Sequence, residues 1–300
     1  MRDEMLDYRI HSFLAVCHTG SYTHAAEILH VSQPAVSQHI HQLEKYYGQT
    51  LFIKNGRGVE ATLAGLILQQ AFETMENDEE RLKAEIRSLL PGKTLPPLCF
   101  GCTRTIADYV APQLLALHLQ HYPNEQIRMH TGNTHELVDL IDRGIIDFAL
   151  IEGPFDSSKF DSATFSHEAF IGIGQAGKAP QTITDLLDKH LILREAGSGT
   201  RELFERHLAA YDVHVSDFAG VIEISSIPAI KACVAAGTGI SFMYRVAVEK
   251  ELSLGTLVDI TPQNFAIEHN FSLIWQRGSR YNKRYLALLT SWRELYNNMR

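Results

Sequence analysis

From Thr62 to Leu90 the chain runs without a proline, and Leu68, Phe72, Met75, Leu82, Ile86 and Leu89 fall on one a/d heptad seam that only Glu79 interrupts. A run of this kind is a long helix with a single apolar stripe between acidic flanks. It cannot bury that stripe alone, and a partner helix from a second copy is the simplest cover. Pro91-Gly92 stops the helix, and Pro96-Pro97 completes a linker. The helix therefore divides the 300 residues into an N-terminal domain over 1–61, a connecting segment over 62–92 and a larger domain over 93–300.

In the N-terminal part, Ile10, Phe13, Leu14 and Cys17 recur at helical spacing within Asp7 to Cys17. Ser21 is placed to cap a second helix reaching about Leu29, with Ala25, Ala26 and Leu29 inward. His30-Val31-Ser32 breaks it, and Ser32 caps a third helix ending near Tyr47. Pro34 is tolerated there because the first helical N–H groups have no internal partner. Val36, Ile40 and Leu43 form the inner stripe of this helix. Pro34, Ser37, Gln38, His41 and Lys45 fall on the outer side, and Gln33 sits at the exposed start. Leu51 to Lys54 and Val59 to Ala61 are two short strands around an Asn55-Gly56-Arg57-Gly58 tip. Three helices and a hairpin predict a winged helix-turn-helix.

Beyond Leu98, strands and helices alternate. Strands are expected at Leu98–Gly101, Gln126–His130, Phe148–Ile151, Leu191–Leu193, Val221–Ile224, Ile240–Met243 and Phe271–Trp275. Helices are expected at Ile106–His121, Thr134–Asp142, Thr200–Ala210, Pro228–Ala236, Val246–Leu252 and Lys283–Asn297. This alternation predicts an α/β fold around a parallel sheet, with ligands at strand carboxyl ends and helix N-termini. A hydrophobic content of 45% is enough for such cores. The net charge of -8 argues against a chain that coats nucleic acid indiscriminately, but not against a specific binder with its basic groups on one surface. No apolar run approaches the roughly 20 residues of a membrane span, and Met1 to Ile10 is charged. A cytoplasmic protein without a membrane partner is expected.

Ala25-Ala26-Glu27, Leu29-His30-Val31-Ser32-Gln33-Pro34-Ala35-Val36-Ser37 and Gln42-Leu43-Glu44 closely resemble the helix-turn-helix of LysR-type transcriptional regulators. Gly48, Leu51-Phe52 and Gly56-Arg57-Gly58 are similar to that family's wing, and Thr62 with Ala64-Gly65 to the start of its linker helix. Leu193 to Arg201 and Ala235-Ala236-Gly237-Thr238-Gly239-Ile240 resemble its effector domain. The resemblance implies a periplasmic-binding-protein-like effector domain of two α/β subdomains, about 95–165 plus 265–300 and about 166–264, with the effector between them. It also implies a homo-oligomer, dimer or tetramer, and RNA polymerase as a partner where the protein activates.

A helix in the major groove needs polar side chains that reach base edges. Gln33 can pair with adenine, Pro34 and Ala35 can touch a thymine methyl, and Ser32, Ser37, Gln38 and His41 lie on or beside the same face. By resemblance, Gln33, Pro34, Ser37 and Gln38 occupy base-contacting positions. Relatives often carry arginine where Gln38 stands, so the operator should differ. Arg57 is placed for the minor groove, and Lys45 and Lys54 for phosphate. His11, His18, His24, His30, His39 and His41 read as surface polar residues; the competing reading is a pH-tuned DNA affinity.

Cys102-Thr103-Arg104-Thr105 and Ser198-Gly199-Thr200-Arg201 each follow a strand and open a helix, a chemistry that suits an anion. By resemblance, Thr103, Thr105, Ser198 and Thr200 match positions where relatives hold sulfate-like or carboxylate effectors. Asn133 and Glu136 have capping-box spacing, and Thr134 beside them is a candidate ligand. The pieces resemble the family branch tied to sulfur and inorganic-carbon metabolism, so sulfite or sulfate is the expected effector. Glu152 and Glu195 cut against a bare anion pocket; pairing with Arg104 or Arg201, or binding an amine, would account for them. No metal spacing or cofactor motif is present.

Cys99 and Cys102 form a C-x-x-C, but residues three apart on a strand face opposite ways. A redox-responsive regulator using Cys102, its thiol acidified by a helix start, is the alternative reading; Cys17 and Cys233 read as core. Two rival classes remain. An enzyme would need a nucleophile elbow, zinc spacing or phosphate loop, and none is found. A small-molecule transport protein fits the C-terminal part but not the helix-turn-helix.

Overall fold

The computed structural model describes residues 6–92, 94–176 and 180–299. Helix α1 (Tyr8–Thr19) starts where Asp7 accepts the Arg9 N–H, and it ends at left-handed Gly20. Helix α2 (Tyr22–Leu29) starts at Ser21, which accepts the His24 N–H. It ends at His30, whose φ of 57° is left-handed although the residue carries a side chain. Helix α3 (Gln33–Tyr47) starts at Ser32, which accepts the Ala35 N–H. Strands β1 (Phe52–Asn55) and β2 (Gly58–Ala61) pair antiparallel. The predicted winged helix-turn-helix is the observed one.

Helix α4 (Leu63–Ser88) follows the Thr62 cap. A Cβ at Gly65 would stand 2.3 Å from the Leu51 carbonyl oxygen, so only glycine lets α4 pass the wing this closely. Phe13, Val16, Ala25, Val36, Ile40 and Leu51 fill the core of this region. Two residues of the expected seam, Leu68 and Phe72, belong to that core, and Phe72 meets Phe13 edge-on at 5.5 Å. Met75, Ile86 and Leu89 stay exposed, so the seam is no continuous stripe within the chain. Glu79, read as an interruption, is buried and pairs with Lys83 at 3.1 Å.

The chain forms two compact units. The first comprises residues up to Pro96 plus Gln276–Asn282, and the second comprises Pro97–Trp275 plus Lys283–Arg300. Within the first, buried Asp78 on α4 accepts the Ser279 hydroxyl and the Arg280 N–H, each at 2.8 Å. Arg81 lies 3.1 Å from the same carboxylate.

The second unit contains strands β3 (Leu98–Thr103), β4 (Ile127–Gly132), β5 (Phe148–Ile151), β6 (Phe160–Gly174), β7 (His190–Leu193), β8 (Gly220–Glu223), β9 (Ser241–Tyr244), β10 (Val258–Asp259) and β11 (Ile267–Gln276). Its helices are α5 (Arg104–Tyr109), α6 (Ala111–His121), α7 (Thr134–Asp142), α8 (Gly199–Ala209), α9 (Ile227–Ala235), α10 (Glu249–Ser253) and α11 (Asn282–Asn297). The main sheet has the order β10-β6-β11-β5-β3-β4, with β9 also on β6. It is mixed, not wholly parallel as expected. β3 pairs parallel with β4 and β5, while β5–β11, β6–β9 and β6–β10 are antiparallel. β7 and β8 form a separate parallel pair. The single helix expected over Ile106–His121 breaks at Val110, because Pro112 in the first turn of α6 has no N–H to continue the α5 ladder to the Asp108 carbonyl.

One core packs Phe100, Phe148 and Trp292 together, with Phe100 and Phe148 stacked at 5.4 Å. The Trp292 indole N–H donates to His118 Nδ1 at 3.1 Å. That leaves the proton of the neutral ring on Nε2, which donates to Glu125 at 2.6 Å. A second core gathers Phe204, Phe242 and Phe265. For the first unit, Phe13→Ala should cost about 3–5 kcal/mol in urea denaturation, because it empties a site closed on every side.

Candidate DNA-reading face and effector cleft

On α3, Val36, Ile40 and Leu43 are buried, which turns the opposite side outward. Ser32, Gln33, Pro34, Gln38, His41 and Lys45 are exposed there, and Ala35 and Ser37 are half-exposed. Gln33 Nε2 donates to Ser37 Oγ at 2.8 Å, so these two polar groups hold each other in place. Lys54 and Arg57 are exposed on the wing. Several histidines do more than decorate the surface. His11 Nδ1 lies 3.1 Å from Glu76, His18 Nε2 3.2 Å from Glu73 and His39 Nδ1 2.8 Å from Ser12. The Glu73 bond raises the His18 pKa above its usual value.

In the second unit, the start of α5, the end of β5, the start of α7 and the start of α8 converge. Thr103, Arg104, Asn133, Thr134, Glu152, Ser198 and Gly199 line one small cavity there. Gly153 and Gly199 meet backbone to backbone; a Cβ on Gly199 would stand 3.1 Å from the Gly153 Cα. Glu152 lies at the centre, 4% exposed. Its Oε1 accepts the hydroxyls of Thr105 and Thr200, each at 3.0 Å. Its Oε2 meets no hydrogen-bond partner, and neither do the buried hydroxyls of Thr103 and Thr134. Burial pushes the Glu152 carboxyl up to about 7, against the opposing pull of the Thr105 and Thr200 hydroxyls, of Arg194 and of the nearby Thr103 hydroxyl.

Two family models match the chain. The LysR substrate binding domain matches residues 92–296, and the bacterial regulatory helix-turn-helix protein, lysR family, matches residues 8–66. The chain belongs to the LysR family. Members are transcriptional regulators rather than enzymes, with a DNA-binding helix-turn-helix and an effector-binding domain. The chain is 29% identical to the RuBisCO operon transcriptional regulator of Allochromatium vinosum over 275 residues, which cover 89% of each chain. It is 30% identical to the HTH-type transcriptional regulator CysL of Bacillus subtilis (strain 168), over 88% of each. The Synechocystis PCC6803 CcmR regulatory domain in complex with 2-PG shares the fold, with TM-score 0.60 and 23% identity over 68% of this chain and 98% of that one. Among the described residues, no helix is long and apolar enough to cross a membrane.

The carboxylates pair differently from the expectation. Glu152 is held by two threonines, and Glu195 binds Arg194 at 2.8 Å. Burial alone would raise the Glu195 pKa, but the Arg194 guanidinium outweighs it and holds the carboxyl below its usual range. Arg201 turns to Glu205 and Glu223, each at 2.7 Å, and does not line the cavity. Asn133 is spent as a cap, since its side chain and Glu136 each accept the other's N–H at 2.8 Å. Arg194, which lines the cavity, was not singled out as a ligand; its signal lay in the Leu193-to-Arg201 run itself. Cys102 is wholly buried and its thiol is pushed up by burial and by Glu152, the reverse of an acidified redox thiol. Cys17 is likewise pushed up to about 12 by burial.

A carboxyl whose folded pKa lies above its ordinary 4.5 removes stability as it ionises. The loss begins above about pH 4.5 and is complete above about pH 7. Glu152→Gln should therefore match the native chain near pH 4 and exceed it by on the order of 3 kcal/mol at pH 8. Urea denaturation at the two pH values measures the difference, and equal stability at pH 8 would contradict it.

Proposed function

We propose that this regulator reads its operator with the outer side of α3 and with the wing, and that a small oxyanion, sulfite or sulfate, in the second unit's cleft sets its output. The observation that carries the effector reading is the convergence of buried, unpartnered Thr103 and Thr134 hydroxyls beside Ser198, whose side chain makes no bond that caps α8. Helix starts and free hydroxyls complement an anion. The likeness to CysL and to the RuBisCO operon regulator supports the regulator half of this reading, and Arg104 on the cavity wall adds a positive charge to the effector half. The cavity leaves about 10 Å³, room for one water at most. An oxyanion therefore enters only when the walls around Gly153 and Gly199 part. The CcmR complex with 2-PG makes that ligand the second candidate. The domain limits proposed are 1–61, 62–92 and 93–300. The exposed Leu63, Leu66 and Ile67 on α4 support a homo-oligomer, and RNA polymerase is the further partner if the protein activates.

Footprinting upstream of the protein's own gene, with and without sulfite, tests both halves of this reading. A specific footprint that shifts with sulfite is expected; one indifferent to sulfite, sulfate and thiosulfate rejects the oxyanion. Gln38→Ala should weaken operator binding by about 1–3 kcal/mol and relax sequence preference at one position. Lys54→Ala should weaken binding to all sequences alike and lower the salt slope by about 1. Both are read by fluorescence anisotropy across a salt series.

A further inference from the structure

We propose that the effector anion is bound together with one proton, carried by Glu152. The inference rests on the oxyanion reading above and specifies how that site admits its ligand. Glu152 Oε1 already takes the Thr105 and Thr200 hydroxyls, one from each wall of the cleft, so that side of the carboxyl is full. Oε2 is buried, has no donor within hydrogen-bond distance although the Thr103 hydroxyl is close enough to favour its charge, and lines the same cavity as the Thr103 and Thr134 hydroxyls, which likewise have no partner at bonding distance. An anion placed among these three atoms would face an ionised carboxylate at close range in a buried site, where repulsion between like charges is strong. Protonation at Oε2 removes that repulsion and turns the atom into the third donor, beside the two threonine hydroxyls.

The neighbours of Glu152 do not supply the missing charge by other means. Arg194 lies near, but its guanidinium is engaged by Glu195. Arg104 lines the cavity while its side chain reaches solvent. Cys102 on β3 and Tyr244 on β9 are both neutral, each pushed up by burial with Glu152 adding to it. Burial also holds the Glu152 carboxyl near neutrality, so the proton comes from solvent at ordinary pH without an extreme of acidity. Only one bond to hydrogen is exchanged: a hydronium or a protonated buffer molecule gives its proton to Oε2 as the anion enters and is left as water or as the free buffer base.

Isothermal titration of the full chain with sulfate and with thiosulfate, neither of which titrates between pH 6 and 8, tests this. Each titration is run at pH 6, 7 and 8 in two buffers of different ionisation enthalpy. The expected result is uptake of up to one proton per anion and an affinity falling by up to about tenfold per pH unit above 7. Glu152→Gln should bind with affinity that does not depend on pH and without proton uptake. Should that variant fail to fold, the two-buffer comparison on the native chain decides alone. Heats that show binding without proton uptake, or an affinity that rises with pH, overturn the proton linkage and leave the oxyanion site standing. No heat with either anion at any pH rejects the oxyanion site, and the linkage falls with it.

Discussion

The second unit turns on one carboxyl shared by two walls. Glu152 stands at the end of β5, and hydroxyls from the first turns of α5 and α8 both reach its Oε1. Those helices begin at distant points of the sequence, and a buried acceptor is what draws their first turns together. A buried carboxyl costs free energy unless its lone pairs are met. Here one oxygen is satisfied and the other is not, so the closed cleft is held and left incomplete by the same residue.

The first unit relies on a different constraint, close backbone approach. Gly65 lies under the Leu51 carbonyl, and Glu44 near the end of α3 accepts the Leu51 N–H at 2.9 Å. The wing is thereby tied to α3 and to α4 at one residue. The inner stripe of α3 is fixed against Phe13 and Val16, which leaves its outer stripe no freedom to turn inward.

The caps and short-range patterns were readable because their causes are local. Ser21, Ser32 and the Asn133–Glu136 box act within four residues, and each helix begins where the sequence places its cap. β6 was missed for the opposite reason. Its residues 160–174 pass from one core to another, so exposure does not alternate along it and no single period marks it as a strand. With β6 absent from the expected strands its antiparallel pairings to β9 and β10 went unseen, while β11 was expected but the direction of its pairing with β5 has no local signal. The ion pairs were misassigned because Arg194, Glu195, Glu205 and Glu223 offer several equivalent matches in sequence. Only the turn after β7 selects among them.

β6 also has a mechanical consequence. Its last residues pair with β9 and β10, while β11 alongside it pairs with β5. A strand that serves two cores cannot melt in one and stay ordered in the other. The two cores that share β6 are therefore thermodynamically one body. Neither should survive as an excised fragment, and a lesion in the Phe204–Phe242–Phe265 cluster should loosen amide protons on β3 and β5 as much as those beside it.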